Sequence, residues 1–157
     1  MSLRAWCLIL ISSLFIACSN QDNTILHDTR GQQVTAAQLK HHWVIINYWA
    51  PWCEACMEEV PELNRFYKGI QNSQQVVMYG VDFDHDPGDQ LTEVVKQVHI
   101  DYPVLVEDPS EAWGLQSLTV VPTTFIINPQ GKVVKMISGA VSEQSLLNLL
   151  QELQSQA

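Results

Sequence analysis

Positive charge is scarce in this chain of 157 residues: eight Lys and Arg stand against 17 Asp and Glu, giving a formal charge of −9 and a pI near 4.8. With no basic cluster to offset it, that acidity argues against nucleic acid or an anionic lipid surface as a partner. Cysteine is sparse too, at four residues, so the fold is not expected to depend on structural disulfides. No second Cys pair and no His-x-His spacing accompanies Cys53 and Cys56, which leaves a four-ligand zinc site incomplete. The uncharged, mostly apolar stretch Ala5–Ala17 has thirteen residues, fewer than the about 20 that span a bilayer as a helix. Internal repeats and low-complexity tracts are absent.

What the N-terminus does hold is an export pattern: Arg4, the short apolar stretch, and a small residue, Ala17, before Cys18. A small residue directly before a cysteine resembles the lipobox of bacterial lipoproteins. The expectation is a signal peptide over 1–17, lipidation of Cys18 and a polar tether, 18–23, that keeps a domain over 24–157 close to a membrane. An uncleaved signal anchor or a plain secretory signal fits the same residues, and each reading puts the domain outside the cytoplasm. Losing Arg4 takes the charge of the remaining 140 residues to −10.

The rest alternates strand and helix patterns. Asp28-Thr29-Arg30-Gly31 reads as a turn between short strands near Ile25 and Val34, and Thr35-Ala36-Ala37-Gln38 as a capping box. Trp43 to Trp49 is apolar at nearly every position, as a strand covered on both faces requires. A helix from about Cys53 to Lys68 follows, with a kink expected at Pro61. Further strands are predicted over Gln75–Phe83, Val104–Val106, Thr123–Asn128 and Lys132–Ser138, the last two joined by the turn Asn128-Pro129-Gln130-Gly131. Helices are predicted over Asp89–Val98, Ser110–Leu115 and from Ser142, where Leu146, Leu147, Leu149, Leu150 and Leu153 supply a packing face. This order implies an α/β fold, a central mixed sheet flanked by helices.

Cys53-Glu54-Ala55-Cys56 opens the second of these helices at the end of a buried strand. Free backbone N–H groups at a helix start stabilise a thiolate, so the pattern points to thiol–disulfide exchange. A bare Cys-x-x-Cys is a weak signal, because metal sites use it as well.

Four segments together are specific: Asn47-Tyr48-Trp49-Ala50-Pro51-Trp52-Cys53-Glu54-Ala55-Cys56, Glu59-Val60-Pro61, Tyr79-Gly80-Val81-Asp82, and Val121-Pro122-Thr123-Thr124-Phe125-Ile126-Ile127-Asn128-Pro129-Gln130-Gly131-Lys132-Val133-Val134. From about residue 24 to 153 the chain resembles the TlpA/ResA/CcmG (DsbE) branch of the thioredoxin superfamily, membrane-tethered extracytoplasmic reductases. The resemblance implies a thioredoxin-like fold, a redox-active disulfide Cys53–Cys56 and no cofactor. Implied partners are client proteins with disulfides, apocytochrome c among them, and a membrane electron donor of the DsbD/CcdA type.

On this reading Cys53 is an exposed attacking thiolate and Cys56, a turn further in, resolves the mixed disulfide. Glu54 sets a negative charge beside the nucleophile and opposes part of the helix-dipole effect, which argues against an extreme oxidant. Ordinary thioredoxin carries a buried Asp where this chain has Asn47, and an amide cannot shuttle protons. The resemblance offers Glu59 instead as the acid–base group, the alternative being a solvated helix-surface Glu like Glu58. Pro122 matches the cis-proline facing the redox pair, the alternative being a trans proline at a strand entry. Val121 would then offer its backbone to an extended client, with Trp49, Pro51 and Trp52 as an apolar rim. Trp52 is the one expected at the contact surface, while core packing accounts equally well for Trp49.

Two further patterns compete. Asp82-Phe83-Asp84-His85-Asp86 with Glu93 imitates an EF-hand loop, but Pro87 occupies the position that needs glycine, so the segment is read as a solvated acidic loop at a strand end. A metal or haem chaperone using the two thiols as ligands, copper included, is a binding alternative to catalysis. A disulfide oxidase or isomerase on the same fold is the enzymatic alternative, although about 20 residues between Phe83 and Pro103 leave little room for the helical insertion of DsbA-type oxidases.

Overall fold

The computed structural model describes residues 24–156, so the expected leader, the lipidation of Cys18 and the tether lie outside the described residues. Strands β1 (Ile25–His27) and β2 (Gln33–Thr35) pair antiparallel as a separate two-stranded sheet. The turn between them is closed by Asp28, whose Oδ1 accepts from the N–H groups of Arg30 and Gln32. Helix α1 (Ala36–Leu39) opens on the expected capping box, Thr35 and Gln38 each bonding the other's backbone N–H.

Strand β3 (Trp43–Trp49) is buried at all seven positions. It lies at the centre of a five-stranded sheet, between β4 (Val76–Asp82), to which it runs parallel, and β6 (Thr123–Ile127), to which it runs antiparallel. The short β5 (Val104–Leu105) extends the β4 side and β7 (Val133–Ser138) the β6 side, giving the order β5-β4-β3-β6-β7. The sheet is mixed, as expected. A strand covered on both faces needs apolar side chains pointing both ways, which is why the period-two alternation is missing from β3.

One face packs against α2 (Glu54–Ile70), α3 (Gly88–Gln97) and α5 (Glu143–Ser155), through Val60, Leu63, Phe66, Leu91, Leu146 and Leu150. The other is covered by the β1–β2 sheet and the region around α4 (Ser110–Trp113), through Leu26, Val34 and Leu115. Each large apolar side chain so buried contributes roughly 1.5–3 kcal/mol. Among the described residues no helix is long and apolar enough to cross a membrane.

Helix α2 runs for 17 residues with Pro61 inside it and Cys53 as its N-cap. Two local expectations need correcting. Leu147 is 41 % exposed and takes no part in the packing face of α5, which falls to Leu146 and Leu150 with support from Leu149 and Leu153. The Asp82–Asp86 loop is not a solvated acidic loop throughout: Asp82 is buried, and its carboxylate accepts from the N–H groups of Asp84 and Asp86. The loop's positive φ falls at His85, not at a glycine.

Candidate active site

The site forms where β3 ends and α2 begins. Cys53 and Cys56 are joined by a disulfide, their Cα atoms 5.2 Å apart. As N-cap, Cys53 takes an extended conformation (φ −86°, ψ 105°), and its Sγ accepts from the backbone N–H of Cys56 at 3.2 Å. The sulfur therefore occupies the place where a Ser or Asp oxygen would cap a helix, and a thiolate there gains from the same N–H and from the helix dipole.

Cys53 is not exposed in this oxidised pair, contrary to expectation: it retains 6 % of its surface, because the pair closes against the core of β3 and α2. The order of accessibility still holds, since Cys56 retains none. Trp49 is fully buried and belongs to the core. Trp52 is 64 % exposed and fixed in place, its Nε1 donating to Asp84 Oδ2 at 2.6 Å and its ring meeting Phe83 edge-on. Pro51 is half-buried.

Across the sheet, the register that pairs Tyr48 with Thr123 brings Pro122 next in line, opposite Trp49. The Val121–Pro122 bond is cis. The Thr123 hydroxyl donates to Val120 O, and Gly139 N–H to Pro122 O. Neither backbone polar group of Val121 makes a hydrogen bond to the described residues, which leaves both free to pair with an extended chain.

Glu59 lies one turn beyond Cys56 on α2, at the spacing that makes helix residues neighbours. It is 2 % exposed, unlike its neighbour Glu58, so it is not a solvated surface residue. Oε1 accepts from Asn47 Nδ2 at 2.8 Å and Oε2 from the Val141 N–H at 3.0 Å. Burial raises its pKa above the ordinary carboxylate value, and these two hydrogen bonds hold back part of the rise. Beside it the fully buried Tyr102 is pushed well above an ordinary phenol, first by burial and then by the charge of Glu59.

Sequence reasoning noted Asn47 only as an amide where ordinary thioredoxin carries Asp, and assigned no part in the site to Thr124, Tyr102 or Val141, the other groups that surround Glu59. Asn47 donates to Thr124 Oγ1 at 3.2 Å as well as to Glu59, and its Oδ1 accepts from the Tyr102 hydroxyl at 3.4 Å. A single amide inside an otherwise apolar buried run was the available signal, since a buried amide needs partners. A cavity of about 270 Å³ lies at the opposite end of β3, against Val44 and Ile127. It is remote from the cysteines.

Comparison with known proteins agrees with this geometry. Residues 20–136 match the AhpC/TSA family. The thiol-disulfide oxidoreductase ResA of Bacillus subtilis is 31 % identical over 128 residues, covering 82 % of this chain and 70 % of ResA. The crystal structure of StoA from Bacillus subtilis superposes with a TM-score of 0.68 at 21 % identity, covering 81 % of this chain and 95 % of StoA. The structure of MTB dsbF in mixed oxidised and reduced forms gives 0.67 at 21 % identity, covering 85 % and 96 %. Proteins of this kind work through the cysteine pair itself and need no cofactor. The chain belongs to the AhpC/TSA family within the thioredoxin superfamily and is a thiol-disulfide oxidoreductase of the ResA type.

Proposed function

We propose that the protein works as an extracytoplasmic protein-disulfide reductase, with Cys53 as nucleophile, Cys56 as resolving thiol and Glu59 as the acid–base group. The observation that carries the proposal is the buried Glu59 carboxylate, one helical turn beyond a cysteine with no exposed surface. A thiol so enclosed cannot hand its proton to bulk water, and one helical turn on stands a buried carboxylate of raised proton affinity that can take it.

In the reduced state the Cys53 thiolate attacks one sulfur of a client disulfide. The client S–S bond breaks, its other sulfur leaves as a thiolate and takes a proton from water, and Cys53 is joined to the client. Glu59 then accepts the Cys56 thiol proton, and the Cys56 thiolate attacks Cys53 Sγ. The Cys53–client bond breaks, the second client sulfur leaves and is protonated, and the Cys53–Cys56 disulfide of this structure is restored. The client gains two electrons and two protons: the protein supplies both electrons and, through Glu59, the Cys56 proton, and water supplies the other proton. A membrane dithiol donor of the DsbD/CcdA type would return the pair to the reduced form.

The exposed Trp52, the unpaired backbone of Val121 and cis Pro122 form the surface against which an extended client would lie. Support for reduction over oxidation comes from the first turn of α2, which carries the acidic Glu54 and no basic side chain. Between Phe83 and Pro103 there is only the ten-residue α3, with no inserted helical domain. The leader pattern before residue 19 supports placement outside the cytoplasm with a lipid anchor at Cys18, and the resemblance supports apocytochrome c as a client.

The test is the direction of electron transfer. The reduced domain should convert a disulfide-bonded cytochrome-type Cys-x-x-Cys peptide to its dithiol, one peptide per protein, with Cys53–Cys56 formed in step by mass spectrometry. Transfer only from the reduced peptide to the oxidised protein would overturn the proposal in favour of an oxidase.

A further inference from the structure

The polar cluster around Glu59 is more elaborate than holding a carboxylate requires. Asn47 has no exposed surface, and its two Nδ2 hydrogens are both used, toward Glu59 Oε1 and Thr124 Oγ1. On the far side Oδ1 receives the Tyr102 hydroxyl, itself fully enclosed. This orientation fits an ionised Glu59, because the amide presents N–H to a carboxylate.

During resolution Glu59 must also exist protonated, and a carboxyl O–H needs an acceptor. The amide supplies one by turning half a revolution, so that Oδ1 faces Glu59 and Nδ2 faces Tyr102. The groups flanking it allow this. Hydroxyls donate or accept as required, so Thr124 would donate to Oδ1 and Tyr102 would accept from Nδ2. Val141 N–H holds Oε2 in either state. Glu59, Asn47 and Thr124 each keep a hydrogen-bond partner in both orientations; the turned one leaves one Nδ2 hydrogen and the Tyr102 hydroxyl hydrogen without an acceptor among these groups, which makes the present orientation the resting one.

We infer that Asn47 is a positioning residue for the acid–base step, a reversible amide that, between the hydroxyls of Thr124 and Tyr102, partners Glu59 in both of its protonation states. The inference rests on the reading of Glu59 as the acid–base group. The other titratable groups near Glu59 are few. Tyr102 faces it from the segment before β5, Cys56 lies a turn back on α2, and Glu62 lies nearly a turn on, its carboxylate bonded to the Glu143 N–H. From β6 and from residue 141 come only the Thr124 hydroxyl and a backbone N–H.

Two substitutions separate this role from simple packing, because they push in opposite directions. Asn47→Leu removes the donor that favours ionised Glu59, so resolution should need a higher pH, by about one unit. Tyr102→Phe costs little in the present orientation, where its hydrogen bond is long, but strands the Nδ2 hydrogens in the turned one. It should lower the required pH, by a few tenths of a unit. A third variant restores chemistry: in Asn47→Asp/Glu59→Gln the carboxylate moves across the same hydrogen bond, and the amide introduced on α2, Thr124 and Tyr102 can all donate to it.

The experiment is single-turnover release of a fluorescent client thiol from the Cys53 mixed disulfide, followed against pH for each variant. The alkylation rate of reduced Cys53 serves as the control and should stay unchanged. Opposite shifts in the two single variants, with recovery of pH-dependent release in the double one, support the inference. Wild-type profiles in both singles, or shifts of the same sign, overturn it while leaving Glu59 in place. Should Asn47→Leu fail to fold, the downward shift in Tyr102→Phe and recovery in the double variant decide the question. A wild-type profile in Glu59→Gln alone would instead remove the underlying reading of Glu59.

Discussion

Replacing Glu59 by Gln removes the proton acceptor while keeping shape and hydrogen-bonding capacity. The substituted amide can still take the Val141 N–H on its oxygen and meet Asn47 on its nitrogen, once the Asn47 amide turns. The fold should therefore survive, and the effect should fall on Cys56. An ordinary free thiol, of pKa about 8.5, is only about 3 % thiolate near pH 7. If Glu59 removes that limit in the wild type, resolution should slow by about 30-fold in the variant, within the range general acid–base groups commonly supply. The deficit should shrink about tenfold for each unit of pH and vanish above about pH 9, where the thiol ionises unaided. The assay is stopped-flow release of a client thiol from a preformed Cys53 mixed disulfide. A ratio between wild type and variant that stays constant with pH would mean that Glu59 acts through geometry alone, and no difference near pH 7 would refute its role.

Stability should carry the mark of the same residue. Because the folded-state pKa of Glu59 is raised by burial above about 4.5, the folded form binds the proton more tightly than the unfolded chain. Stability should therefore fall as pH rises from about 4.5 through the raised value, and Glu59→Gln should flatten that segment in urea titrations. Glu62 works with the opposite sign: the Glu143 N–H lowers its pKa, partly opposed by desolvation and helped by Arg65, so its contribution is present above about 4.5 and lost as pH falls. Glu62→Gln should remove that acid-side loss. Gly80→Ala should destabilise by about 1–3 kcal/mol in thermal unfolding, because a Cβ there would lie 2.9 Å from Tyr102 Cε2 and 3.1 Å from both Trp49 Nε1 and Val104 Cγ2. Trp52→Ala should leave stability within about 0.5 kcal/mol, since the ring is mostly exposed, yet lower kcat/KM for folded protein clients more than for glutathione disulfide. An equal loss for both substrates would place Trp52 in the exchange chemistry and not in client contact.

The parts of this molecule that could be read from the sequence are those set by near neighbours in the chain. Cys53 at the start of a helix, the Thr35 capping box, the last helix opening at Ser142, the apolar run of β3 and the Asn128–Gly131 turn each depend on residues within a few positions, and each formed as expected. Glu59 and Pro122 came from resemblance, and the structure gives both a physical setting, one buried and the other cis. What escaped was assembled across the fold. Asn47 meets Thr124 and Tyr102 over separations of 77 and 55 residues, and Glu59 meets Val141 over 82. No local periodicity encodes such partners. Leu147 misled because a leucine-rich helix was assigned one broad apolar face, whereas the sheet covers only the stripe through Leu146 and Leu150. Cys53 misled because an N-cap position suggests exposure, while the oxidised pair folds its sulfur onto the core. The clamp of Trp52 by Asp84 came from a loop read as acidic and solvated.

The most direct test of reductase function is the reduction potential of the Cys53–Cys56 pair in the domain from Ser19 onward, equilibrated in defined dithiothreitol or glutathione buffers. A thiolate supported by one helix N-terminus and opposed by Glu54 predicts a value near that of thioredoxin, about −270 mV. A value near that of DsbA, about −120 mV, would mean that the reduced form is strongly stabilised and that the protein donates disulfides, contradicting the account.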